Sequence, residues 1–132
     1  MGCDLDDRGG TVTGSWRDVW FPATSTAPRR ARAWARGILQ VDDRCRSIVL
    51  LLLSELVTNS VRHSGASSHE QIQVGVRERD HVVHVEVRDP GPGLGIARGE
   101  IPAHSGLQIV DALSARWGVR QDPTTVWFDV NV

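Results

Sequence analysis

Two stretches of strict alternation stand out along the chain, Ile72/Val74/Val76 and Val83/Val85/Val87, with a polar or small residue between successive members. A period of two puts one set of side chains on a single strand face, so the pair predicts a half-buried antiparallel hairpin turning around Arg79-Asp80. Upstream, Ile48 to Leu53 is continuously apolar, inside a longer segment that opens with Asp42 and Asp43 and reaches His63 before Ser64-Gly65. Acids at its start and a glycine stop predict one long helix. Pro28 suits the first turn of an earlier helix running to about Gln40, while Trp16, Val19, Trp20 and Phe21 predict a strand from Ser15 that Pro22 closes. After the hairpin, Gly106 to Ala115 predicts a helix, Trp117 to Arg120 a strand, and Thr125 to Val132 a last strand with Val126, Phe128 and Val130 on one face. Residues 1–14 are rich in Gly and Asp without an apolar period, so they are expected to form a flexible leader, leaving 15–132 as one domain.

Composition changes this picture only at its edges. A chain of 132 residues is long enough for one self-supporting core. With 40% hydrophobic and 23% charged residues and a formal net charge of -1, it has no electrostatic drive toward DNA phosphates, so no direct nucleic-acid partner is expected. Cys3 and Cys45 lack metal-like spacing and are expected as reduced, passive thiols. The apolar run falls well short of the roughly 18 residues of a membrane span, and the N-terminus lacks an apolar signal region; a cytoplasmic protein with no membrane partner is expected.

Candidate chemistry begins inside the apolar helix, where Glu55 and Asn59 interrupt the run four residues apart and therefore on one face. A buried, unpaired carboxylate costs on the order of several kcal/mol, so Glu55 should face a cleft or a partner; a solvated stripe on an amphipathic helix is the alternative. Arg62 and His63 extend that face by one turn, where they either approach a phosphate or complement the helix C-terminus. Asp89 ends the hairpin and enters Pro90-Gly91-Pro92-Gly93, setting a carboxylate at the sheet edge followed by backbone that can press close to a flat ligand; a plain Pro/Gly turn is the alternative. Ser105-Gly106-Leu107 opens the next helix and offers free N–H groups to an anion, unless Ser105 merely caps it.

Taken in order, Glu55-x-x-x-Asn59, Asp89-x-Gly91-x-Gly93 and Gly106-Leu107 resemble the N box and the two glycine boxes of the ATPase superfamily that contains gyrase, mismatch-repair ATPases and histidine kinases. Within it, the runs 54–64, 111–119 and 125–128 look like the stand-alone anti-sigma-type serine/threonine kinases of actinobacteria, over about residues 15–132. The resemblance implies an α+β fold, a two-layer α/β sandwich whose mixed, mainly antiparallel sheet carries helices on one face. It implies ATP and Mg²⁺ as cofactors, with Glu55 as general base and Asn59 holding the metal. Asp89 would accept the adenine amino hydrogen, with Thr125 supporting the base. Gly91, Gly93, Ser105, Gly106 and Leu107 would shape backbone around the nucleotide, and Arg62 and His63 would lie near its phosphates. The partners implied are a sigma factor and an anti-sigma-factor antagonist, and family members often pair as homodimers.

One feature pulls against this reading. Family members usually have two glycines before the third motif's helix, where His104-Ser105-Gly106 supplies one, so a non-catalytic binding module is the second reading. A histidine-kinase fragment ranks last, because no His precedes His63.

Overall fold

The computed structural model describes residues 15–63, 69–89, 106–121 and 123–132, His63 by its backbone alone. The expected leader lies outside these residues. Elements follow in the order β1 (Arg17–Pro22), α1 (Ala27–Ile38), α2 (Asp43–His63), β2 (Gln71–Arg79), β3 (Val82–Arg88), α3 (Leu107–Leu113), β4 (Arg116–Arg120) and β5 (Thr125–Asn131).

The alternating runs do form the hairpin, with Val74 opposite Val87 and Val76 opposite Val85. Its turn is centred on Asp80 and His81, one residue later than expected, and both have positive φ, 54° and 64°. That is the backbone a tight two-residue hairpin turn requires. β1 pairs with β2, β3 with β5 and β5 with β4, giving the order β1-β2-β3-β5-β4. All four pairings are antiparallel, so the parallel component expected of a mixed sheet is absent among the described strands.

Alternation divides the sheet into two unlike faces. Phe21, Ile72, Val74, Val85, Val87 and Phe128 are buried under the helices, whereas Asp18, Gln73, His84, Glu86 and Trp127 point the other way. The result is a two-layer α/β sandwich. α2 supplies the centre of the core: Val49, Leu52, Leu53 and Val57 are fully buried, each stabilising the fold by about 1.5–3 kcal/mol. Asp42 starts this helix as expected, its Oδ1 accepting the Cys45 N–H at 2.9 Å. On α1, Ala27, Ala31 and Ala35 form a small-residue stripe that is completely covered. α3 is shorter than predicted, ending at Leu113 because Ser114 turns extended. Cys45 is disulfide-bonded, contrary to the expectation of a reduced thiol. Among the described residues no helix is long and apolar enough to cross a membrane.

Candidate functional site

Three elements converge between the helices and the covered face of the sheet. The last half of α2 contributes Glu55, Leu56, Asn59 and Ser60, β3 runs out into Asp89, the turn before β5 brings Thr124, and β5 itself brings Val126. Leu56, Asn59, Ser60, Val87, Asp89, Thr124 and Val126 line one pocket. The pocket is narrow, about 10 Å³, with apolar walls from Leu56, Val87 and Val126 and polar side chains from Asn59, Ser60, Asp89 and Thr124.

Asn59 is 4% exposed, so the solvated-stripe alternative fails for it. Its Nδ2 and the Ser60 Oγ are buried without a hydrogen-bond partner among the described residues. An unsatisfied buried polar group costs about 1–3 kcal/mol, and two neighbouring ones on the wall of a pocket point to a ligand that satisfies them. Asp89 is 5% exposed and is fixed from behind, its backbone N–H donating to the Thr124 carbonyl at 2.9 Å. That bond ties the end of β3 to the turn before β5 and holds the carboxylate at the pocket.

Glu55 is half-buried, one turn before Asn59, and its carboxylate packs directly against Gly106 at the start of α3. Gly106 has φ +80°, a left-handed conformation that L side chains rarely adopt, and a Cβ there would run into Glu55 Oε1. Glycine is therefore required both by the backbone and by the acid beside it. Leu107 follows with its side chain fully buried in the core, which leaves only its backbone to face a ligand.

Not every sequence-predicted residue joins the site. Thr125 is buried but does not line the pocket; its hydroxyl donates to the Pro123 carbonyl at 3.1 Å. Along β5 it alternates with Val126, so its side chain leaves on the opposite face, and Thr124 takes the place at the pocket. Arg62 is exposed on the last turn of α2 and is not part of the lining. Gly91, Gly93, Ser105 and the side chain of His63 lie outside the described residues. Sequence reasoning missed Ser60 and Thr124. Leu56 and Ser60 are four apart with Asn59 between them at three, a helical spacing that already put all three on one face.

The profile of the histidine kinase-like ATPase domain matches residues 21–125, and the chain belongs to that family. The matched span contains every residue of the pocket except Val126, as well as Glu55 and Gly106. Comparison with curated proteins finds no match. Fold, family and pocket together define an ATP-binding domain.

Proposed function

We propose that this chain is an ATP- and Mg²⁺-dependent serine/threonine protein kinase that acts in the cytoplasm as an anti-sigma factor and phosphorylates an anti-sigma-factor antagonist. The observation that carries the reading is the meeting of Asn59 and Asp89 in one apolar-walled pocket while Glu55 stands at Gly106 one helical turn away. In this reading Asp89 accepts a hydrogen bond from the adenine amino group, and Leu56, Val87 and Val126 sandwich the ring. Asn59 reaches the phosphate end, where its amide oxygen is a suitable ligand for Mg²⁺ and its N–H gains the acceptor it lacks. Held there, Mg²⁺ would supply positive charge against the phosphate oxygens.

Glu55 takes the proton from a serine or threonine hydroxyl of the antagonist as that oxygen attacks the γ-phosphorus; the bond to the β-phosphate oxygen breaks and ADP leaves. The sigma factor occupies the same surface or its neighbour when the antagonist is absent. The motif resemblance in 54–64 and 111–119 supports the anti-sigma assignment, and the family match supports ATP.

Incubation of the protein with labelled ATP, Mg²⁺ and candidate antagonists tests the reading. Transfer of label to a serine or threonine is expected, and Glu55→Gln should retain ATP while slowing transfer by about a hundredfold or more. Normal transfer by that variant removes Glu55 as the base. The single glycine of His104-Ser105-Gly106 favours a second reading, a module that holds nucleotide and partner without chemistry; it is correct if ATP binds and no antagonist is labelled.

A further inference from the structure

The face of the sheet that carries none of the described helices is not bland. Its strands β2 to β5 form a broad depression of about 670 Å³, far from the pocket beneath α2. Trp127 forms its floor, lying so close to Gly118 that a Cβ there would come within 2.9 Å of the indole. The indole lies against the His84 ring, tilted by 31° at a centroid distance of 5.7 Å. His84 is clamped in turn, Nδ1 at 2.6 Å from Asp129 Oδ1 and Nε2 at 2.8 Å from Glu86 Oε2.

These carboxylates are held low and the cations stand high. Asp129 and Glu86 side chains are 11% and 18% exposed, while Arg116 and Arg120, which pair with them at 3.0 and 2.7 Å, are 63% and 50% exposed. Arg77 also lines the depression and has no ion-pair partner among the described residues; Arg79 has only a loose 3.5 Å contact with Asp80. The outward surface is therefore arginine around an aromatic plate, on a chain whose overall charge is -1.

We propose that this depression binds an acidic peptide segment of a partner protein, with side-chain carboxylates on the guanidinium groups and an apolar residue against Trp127. Arginine presents paired N–H donors that match a carboxylate, and Arg and Trp are the side chains that anchor interfaces. The mixed lining favours discrete carboxylates over a continuous polyphosphate, because Asp80 and Asp129 would oppose a phosphate chain while a peptide's N–H groups can meet them. The inference does not rest on phosphotransfer, since the nucleotide pocket is on the other side of the sheet.

The test is fluorescence anisotropy with the full chain and a short labelled peptide of alternating Glu and Leu. Saturable binding that weakens with salt is expected, with about tenfold loss in Arg77→Glu/Arg79→Glu and none in Asp89→Asn. Arg77 has no ion pair among the described residues and Arg79 only the exposed 3.5 Å contact with Asp80, so the double variant should keep its fold, checked by circular dichroism; if it does not, Arg77→Gln/Arg79→Gln should show a smaller loss in the same direction. The proposal is overturned by any one of several results: no binding, equal binding by the folded variants, equal binding of a Gln-for-Glu peptide, or tighter binding of oligothymidylate or phosphatidylserine vesicles. Sedimentation showing this face closed by a second copy, released by the same substitutions, overturns it as well.

Discussion

Glu78 and Glu86 point to opposite sides of one sheet, and their carboxyl groups are driven in opposite directions. Glu78, on the helix-covered side, is raised above its ordinary value of 4.5 chiefly by burial; the Gln40 N–H and the charges of Arg17 and Arg46 pull it back without cancelling that push. Glu86, on the open side, also feels burial as its largest single influence, yet the hydrogen bonds with Arg120 and His84 and the charge attraction to them together outweigh it, and the group is lowered. The covered face has little with which to compensate a charge; the open face has a lattice of charges that satisfy one another. Asn59 and Ser60, on α2 against the covered face, combine an unpartnered buried polar atom with a place on the pocket wall, which is why they carry more functional weight than the larger charge cluster opposite.

The sharpest way to break this contrast is to change one acid on each side. Asp89→Asn removes the charged acceptor at the covered pocket, and a hydrogen bond to a charged group is worth about 1.5–3 kcal/mol, so calorimetry should show ATP affinity falling roughly ten- to a hundredfold. Glu86→Gln, on the open face, should leave ATP affinity within about twofold. Equal losses, or none at Asp89, would mean that the pocket beneath α2 is not the nucleotide site.

A smaller effect is expected from glycines. Gly106→Ala forces an L side chain into φ +80° and into the Glu55 carboxylate, a backbone cost of about 1–2 kcal/mol, seen as a fall in Tm on the order of 5 °C with weakened ATP binding. Gly118→Ala meets only the Trp127 side chain, at 2.9 Å, and its backbone is not in the left-handed region. Its Tm loss should be less than half as large, with ATP binding unchanged. If Gly118→Ala proves the more damaging, the open face is the more rigid of the two.

What could be read from the sequence follows the same division. Val74, Val76, Val85 and Val87 announce their strands through a period of two, and Ile48–Leu53 with Asp42 announces α2, because both signals are local. The covered site was legible for the same reason: Glu55 and Asn59 are polar where the helix is otherwise apolar, and Asp89 stands where a strand must stop. Thr125 lies outside the pocket lining because a one-residue step along a strand exchanges faces, and Val126 is the β5 residue that turns toward the pocket. The open-face cluster was invisible, since His84 meets Asp129 only through the pairing of β3 with β5, 45 positions apart in the chain. Spacing reports neighbours along a helix or strand; it does not report neighbours across a sheet.

The finest comparison is between the two glutamates themselves as pH changes. A group raised by folding, such as Glu78, contributes stability that is fully present below the unfolded value near 4.5 and is lost as pH rises through the higher folded value. A lowered group, such as Glu86, contributes stability that is present above 4.5 and is lost as pH falls through its lower folded value. Carboxyl titration followed by NMR should therefore place Glu78 above and Glu86 below 4.5. In urea melts, Glu78→Gln should raise stability at pH 7 relative to pH 4, since glutamine keeps an acceptor for the Gln40 N–H without a charge to bury. Arg120→Gln should move Glu86 upward and leave Glu78 where it was, because the two lie on opposite faces and Arg120 touches only one. A shift of both together would mean that charge on the open face is felt through the sheet, and the independence of the two faces would have to be abandoned.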